Sequence, residues 1–253
     1  MADAAGTPGA GGAPSGKPAE PSSAARPADR GQLSMLHILL ALTSLSGLID
    51  AVCYLGLGHV FTANMTGNVV LLGFAAAGAP GFSVPASLTS LAAFLAGAVA
   101  GGRLRRFKSS RSRLLTVAIC SETGFVGIAA VVAFLASTVA TGWGRYTVIA
   151  VLAFAMGIRN AVIRYLAIPD MTTTVLTQTL TGLAADSPLA GGDNTRAGRR
   201  ASAVLAMLGG AIAGAALFLH QGAGVPLAIS AGAAAITVVA FRFSRAVEFL
   251  DRS

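Results

Sequence analysis

Charge is the scarcest material in this 253-residue chain. Only 11% of its residues are Asp, Glu, Lys or Arg, against 54% hydrophobic, and the mean hydropathy is +0.72. A soluble domain of this length needs a charged coat that such a composition cannot supply, so a water-soluble fold with buried helices is excluded. Cysteine is nearly absent too. Cys53 and Cys120 both lie in apolar stretches, which predicts reduced, packed thiols rather than a disulfide or a metal site. His37, His59 and His220 are scattered and fit no metal-ligand spacing. No serine sits in a nucleophile elbow. Gly11 to Gly16-Lys17 spaces like a phosphate-binding loop, but Pro18 stands where Ser or Thr is needed, and neither a strand nor a helix flanks it. These absences predict a protein that is not an enzyme and that carries no metal and no cofactor.

Apolar runs are what the chain has in quantity. Stretches 35–57, 86–102, 114–137, 145–165, 201–220 and 225–242 approach or exceed the ~20 residues that a bilayer-crossing helix needs. Two more, 60–78 and 169–185, are borderline in length and hold the polar residues. The sequence therefore predicts an all-α integral membrane protein with a transmembrane domain over 35–245. Residues 1–31, rich in Ala, Gly, Pro and Ser, cannot bury enough apolar surface to offset their ordering entropy and read as a disordered tail. That tail has no apolar h-region, so it is not a signal peptide, and the first span serves as the insertion signal. Residues 246–253 form a second, cytoplasmic tail.

Placement of the few charges orders these runs. Lys and Arg number 18, and the densest cluster is Arg103, Arg105, Arg106, Lys108, Arg111 and Arg113, with no acid among them. If 60–78 and 169–185 both cross fully, that cluster lies opposite Arg196, Arg199, Arg200, Arg242, Arg245 and Arg252. If both instead enter and leave by one face, six full spans remain, both termini are inside, and Arg145 is the single basic residue outside. The positive-inside rule selects the second arrangement. The basic excess, with a pI of about 10.7, then follows one membrane face, so its partner is anionic lipid and not nucleic acid.

The chain also repeats itself. Gly47-Leu48-Ile49-Asp50-Ala51-Val52 recurs as Gly157-Ile158-Arg159-Asn160-Ala161-Val162, 110 positions on. Thr66 matches Thr177 at 111, and the Gly97/Gly101 pair matches Gly210/Gly214 at 113. The order is kept while the offset creeps upward, as loop insertions between two copies produce. The copies cover about 35–137 and 145–243. With one span, one dipping segment and two more spans in each, they face opposite ways. Inverted repeats of about 110 residues place polar half-helices at the bilayer midplane, the layout of pores and carriers.

Non-helical backbone at that depth survives only against protein or a wet cavity. Asn64, Thr66, Asn68, Thr172, Thr173, Thr174, Thr177, Thr179 and Thr181 are the residues able to line one. Thr can equally bond back to its own helix or glue neighbouring helices. Asp50, with Asn160 as its counterpart, lies inside the first span, and Glu122 is the other intramembrane acid. An ionised group there costs about 2.5–3.5 kcal/mol on insertion scales, so each needs a partner, a proton or water. Arg159 is the first candidate to pair with Asp50 or Glu122, while Arg164 snorkels to the interface. Such a pair either locks the halves together or serves a gate, a cation site or a proton site. Gly97-xxx-Gly101 and Gly210-xxx-Gly214 predict close backbone contacts, those two helices crossing each other or their own copies in a homo-oligomer.

Asp50-Ala51-Val52, Phe61-Thr62-Ala63-Asn64-Met65-Thr66-Gly67-Asn68-Val69-Val70-Leu71-Leu72-Gly73, Gly157-Ile158-Arg159-Asn160-Ala161, Pro169-Asp170 and Thr172-Thr173-Thr174-Val175-Leu176-Thr177 together resemble the YoaK family of bacterial membrane proteins, a domain of unknown function. The resemblance covers about 35–245, and Thr66-Gly67-Asn68 is its most specific part. It implies a bacterial inner-membrane protein of about six spans and brings no substrate. The chain departs from the family at Gln178-Thr179, where a second Thr-Gly pair is usual, and in its long N-terminal extension. Function is expected to be transport or conduction of a small solute or ion. The proposed site is Asp50, Asn64, Thr66, Asn68, Glu122, Arg159, Asn160, Thr173 and Thr177. A non-transporting membrane scaffold or signalling partner is the alternative.

Overall fold

The computed structural model describes residues 27–107, 110–135, 142–167 and 176–252, and among these there is no strand. The helices are α1 (Pro27–Gly56), α2 (Met65–Ala76), α3 (Val84–Leu104), α4 (Arg111–Leu135), α5 (Trp143–Leu166), α6 (Leu176–Ala185), α7 (Ala197–Gln221), α8 (Gly224–Phe243) and α9 (Ala246–Arg252). Six of them, α1, α3, α4, α5, α7 and α8, are long and apolar enough to cross a membrane. The apolar runs read from the sequence therefore lie within these six helices, save for a residue or two at some ends.

Helix boundaries follow local chemistry. Ser83 caps α3 by accepting from Ala86 N at 3.3 Å, with Pro85 in the first turn where its missing N–H costs nothing. Gly142 (φ 76°) precedes α5 and Gly222 (φ 72°) ends α7, both in backbone conformations that favour glycine. The last helix, α9, folds back against α1 and α4. Asp251 accepts from Ser112 N at 3.0 Å and Ser112 Oγ at 2.8 Å, fixing the end of the chain to the start of α4. The ends of α3, α5 and α8 and the starts of α1 and α4 thus gather at one pole, the pole that carries most of the arginines.

The central helices are α1 and α5, and α7 is the most peripheral of the six. Outward faces are apolar, with Leu205, Leu208, Ile212 and Leu219 of α7 and Val117, Ile128 and Val131 of α4 exposed for contact with lipid. Cys120 is also exposed on α4, whereas Cys53 is buried; both are free. For Cys120 the sequence reading of a packed thiol is corrected: the helix has more apolar perimeter than neighbours to cover it.

Two seams of backbone contact hold the bundle. On α7, a Cβ at Gly210 or Gly214 would strike the carbonyl of Ser44 or Leu48 in α1, and one at Gly47 would strike Met207 O in α7. On α3, a Cβ at Gly97 or Gly101 would strike the carbonyl of Phe154 or Ile158 in α5, and one at Gly157 would strike Phe94 O in α3. The numbers rise together on both sides of each seam, so α1 runs parallel to α7 and α3 parallel to α5. The glycine pairs were expected to bring α3 and α7 against each other or against their own copies in a homo-oligomer; within the chain each meets the first helix of the other half. A small-residue motif specifies close approach but not the partner.

By contrast, α1 and α5 run antiparallel. Arg159 lies against Leu42 O at 3.3 Å, while at the far end Arg145 lies beside Gly58. Two apolar clusters fill the interior. One, near the arginine-rich pole, contains Met35, Leu39, Leu42, Leu115, Ile119 and Phe241. The other contains Ile49, Val52, Val126, Leu152, Met156 and Leu227. Between them is a polar waist.

Candidate functional site

The waist is built from α1, α4 and α5. Arg159 Nη1 donates to Glu122 Oε1 at 2.6 Å, and both side chains have zero exposure. The same guanidinium donates to Leu42 O and to Ser46 Oγ. Ser46 in turn donates to Leu42 O at 3.0 Å. One turn further along α1 is Asp50, only 3% exposed. Of the two acids offered to Arg159 by the sequence, Glu122 takes the contact. Oδ2 of Asp50, Oε2 of Glu122 and Nε of Arg159 have no hydrogen-bond partner among the described residues.

Asp50 faces the chain that follows α1. Its Oδ1 accepts from Thr62 N at 2.7 Å, Ala63 N at 2.9 Å and Thr62 Oγ1 at 3.1 Å. Asn68 holds the preceding residue: Oδ1 accepts from Phe61 N at 2.8 Å, and Nδ2 donates to Phe61 O at 2.6 Å and Ser90 Oγ at 3.0 Å. Ser90 completes the clamp by donating to Phe61 O at 2.6 Å. The three N–H groups of the non-helical strip Phe61–Ala63, and the carbonyl of Phe61, are thus satisfied by side chains where no helix partner exists. Thr62, Ser90 and Ser46 were not singled out in the sequence. Ser46 carried a usable signal, one turn from Asp50 on the same helix face; Ser90 carried none.

This strip sets up α2. Asn64 caps the helix by accepting from Gly67 N at 3.2 Å. Twelve residues long, α2 reaches about 18 Å and does not cross a bilayer. The ring of Phe82 lies 5.6 Å from those of both His59 and Phe74, so the chain enters and leaves segment 60–78 at one level. The tip of the excursion, Ala63 to Thr66, opens onto a cleft of about 930 Å³. Its other described walls are Phe94, Ala98, Gly102 and Arg105 from α3 and its following turn, and Asn160, Ala161, Arg164 and Tyr165 from α5. Asn64 and Thr66 are exposed there and Asn160 is half-buried. Arg105 stacks over the Tyr165 ring at 4.6 Å, at the arginine-rich end of the cleft.

The proposed site residues therefore fall into two groups. Asp50, Asn68, Glu122 and Arg159 are interior, and the first two are engaged in holding backbone. Asn64, Thr66 and Asn160 share the cleft. Thr177 is exposed on α6, away from both groups among the described contacts, and Thr173 lies outside the described residues, as do Thr172 and Thr174. Gly97, Gly101, Gly210 and Gly214 are all buried in the two seams.

Six apolar crossings, a half-length helix and charge confined to the waist and the ends define an all-α multi-pass membrane protein. The chain belongs to the DUF1275 family, described as proteins of unknown function, which it matches over residues 38–240. It is 35% identical over 150 residues to the UPF0700 transmembrane protein YoaK of Bacillus subtilis (strain 168). That match covers 58% of this chain and 64% of the relative, less than two thirds of its length. No solved structure matches.

Proposed function

We propose that the protein is a transporter or channel for a small polar solute or ion in a bacterial inner membrane, with the arginine-rich pole and both termini cytoplasmic. The observation that carries this reading is the cleft, which runs from Arg105 and Arg164 to Asn64 and Thr66 at the start of a helix that stops short of crossing. Its volume suits a small molecule. The N-terminus of α2 presents the positive end of a helix dipole, Asn64, Thr66 and Asn160 replace a solute's hydration, and the charged groups on the described lining are both arginines. A solute bearing negative charge fits that lining best.

Inverted repeats belong to the same reading. They are supported by the two seams: going 110 positions forward from α1 and 113 back from α7 turns the contacts of Ser44 and Leu48 with Gly210 and Gly214 into those of Phe154 and Ile158 with Gly97 and Gly101, with the roles of the halves exchanged. They are also supported by the antiparallel course of α1 and α5. Carriers of this design move one half against the other around a central site.

The test is uptake by proteoliposomes of a panel of labelled small anions, cations and neutral solutes. Thr66→Leu and Asn160→Leu are expected to cut the active flux at least tenfold while thermal unfolding stays near wild type. One observation favours a non-transporting scaffold: Asp50 and Asn68 are both bound to backbone. That reading stands if no flux is found and cleft substitutions are silent.

A further inference from the structure

We infer that Asp50 is a proton-binding site, carrying a proton at neutral pH at the junction of α1 with the strip that leads to α2. Asp50, Glu122 and Arg159 are the buried charged residues described, two acids and one base. With all three ionised, one negative charge is left without compensation in the bundle interior, a strongly disfavoured state in a low-dielectric setting. A second base, a metal ion or a proton would remove it. No other buried base is described, and among the described residues no three His, Cys, Asp or Glu side chains converge. A proton is what remains.

Geometry assigns it to Asp50. Glu122 has the direct ion pair with Arg159, which holds it as the carboxylate. Among the described residues Asp50 makes no ion pair, and its three donors, two N–H groups and one hydroxyl, all converge on Oδ1 while none reaches Oδ2. Oδ2, which no donor reaches and which pairs with no cation, is the oxygen left to carry the proton. The groups facing Asp50 are Arg159 from α5, Glu122 beyond it on α4, Ser46 and Cys53 on α1, and Thr62; Cys53 Sγ lies 4.0 Å from Thr62 Oγ1. From α7, Gly210 and Gly214 lie against Ser44 and Leu48, and the Phe218 ring lies against Gly56.

Release of the proton to water would set a second carboxylate against one guanidinium. Arg159 then has two acids to choose between, and the latch from α5 to α4 loosens as the interaction with α1 strengthens. Proton occupancy is thereby coupled to how α1, α4 and α5 are tied together. The role of that coupling in driving solute movement rests on the transport reading above; the existence of the site does not.

Infrared difference spectroscopy of the purified full-length protein in lipid separates these points. Wild type at neutral pH should show a protonated-carboxyl C=O stretch that shifts in heavy water, and Asp50→Asn, close in shape, should lose it. Absence of the band in wild type, as for a hydrated carboxylate, overturns the proposal whatever the variant does. So does a band that persists undiminished in Asp50→Asn. A band lost in the variant, in a protein that moves no solute, supports the proton site and removes the transport reading. With both intact, a pH step across proteoliposomes should change wild-type flux severalfold and leave the variant's flux flat.

Discussion

Arg159 is the residue on which the interior's polar order depends, since it bridges α4 and two positions of α1 from a single site on α5. Removing its partner leaves a buried cation whose remaining acid, Asp50, has its Oδ1 already committed to the backbone of Thr62 and Ala63. Glu122→Gln is expected to destabilise the bundle by about 3–5 kcal/mol, the usual cost of breaking a buried pair from one side. The double variant Glu122→Leu with Arg159→Met should recover much of that loss, because no unpaired charge remains. Thermal unfolding in detergent measures both. Asn68→Ala removes four side-chain hydrogen bonds, taking away the acceptor of Phe61 N and leaving Phe61 O with Ser90 Oγ. A loss of about 1–3 kcal/mol follows from the buried groups left unpaired, along with faster modification of a cysteine placed at position 64. The placement of Asp50, Glu122 and Arg159 inside the spans was legible in the sequence because charge is so rare there. The contacts of Thr62 and Ser90 were not. Hydroxyls are common on membrane helices and usually bond their own turn, as Thr43 does to Leu39 O at 2.8 Å, so nothing local marks the few that reach across.

At the scale of elements, the two seams make the sharpest prediction. Gly210 and Gly209 are neighbours on α7, yet a Cβ on Gly210 would collide with the α1 backbone while one on Gly209 meets nothing within 4 Å. Gly210→Ala should therefore destabilise by about 1–3 kcal/mol, as overpacking does. Gly209→Ala should be neutral or slightly stabilising, because alanine restricts the unfolded chain and favours helix. Equal effects at both positions, measured by thermal unfolding, would contradict the seam. Hydropathy made the six long helices legible, since a bilayer fixes their length. The pairing of α3 with α5 and α7 with α1 was not legible, because Gly-xxx-Gly describes a flat face and any helix can lie on it. The short reach of α2 was visible as a polar interruption, but its clamp depends on residues up to 29 positions apart.

The whole molecule is best tested by chemical access from its two sides. In a protein whose Cys53 and Cys120 have been replaced by serine or alanine, a single cysteine at position 66 should be modified by a membrane-impermeant reagent applied from the arginine-rich side and protected from the other. That outcome is expected although α2 is tethered at the opposite end, beside His59 and Phe82. Labelling from the His59 side alone would contradict a cleft open at Arg105 and Arg164.

The paired seams give the two halves the same mechanical joint, but Arg159 breaks the likeness: the matching place on α1 is Ile49, which is buried in aliphatic company. On the proposed transport reading, two halves joined this way would not rest equally in two opposite postures. The guanidinium comes from α5 and clasps α1 and α4 of the other half, with no matching clasp from α1 among the described residues, so the posture in which that clasp is closed would be favoured before any solute arrives.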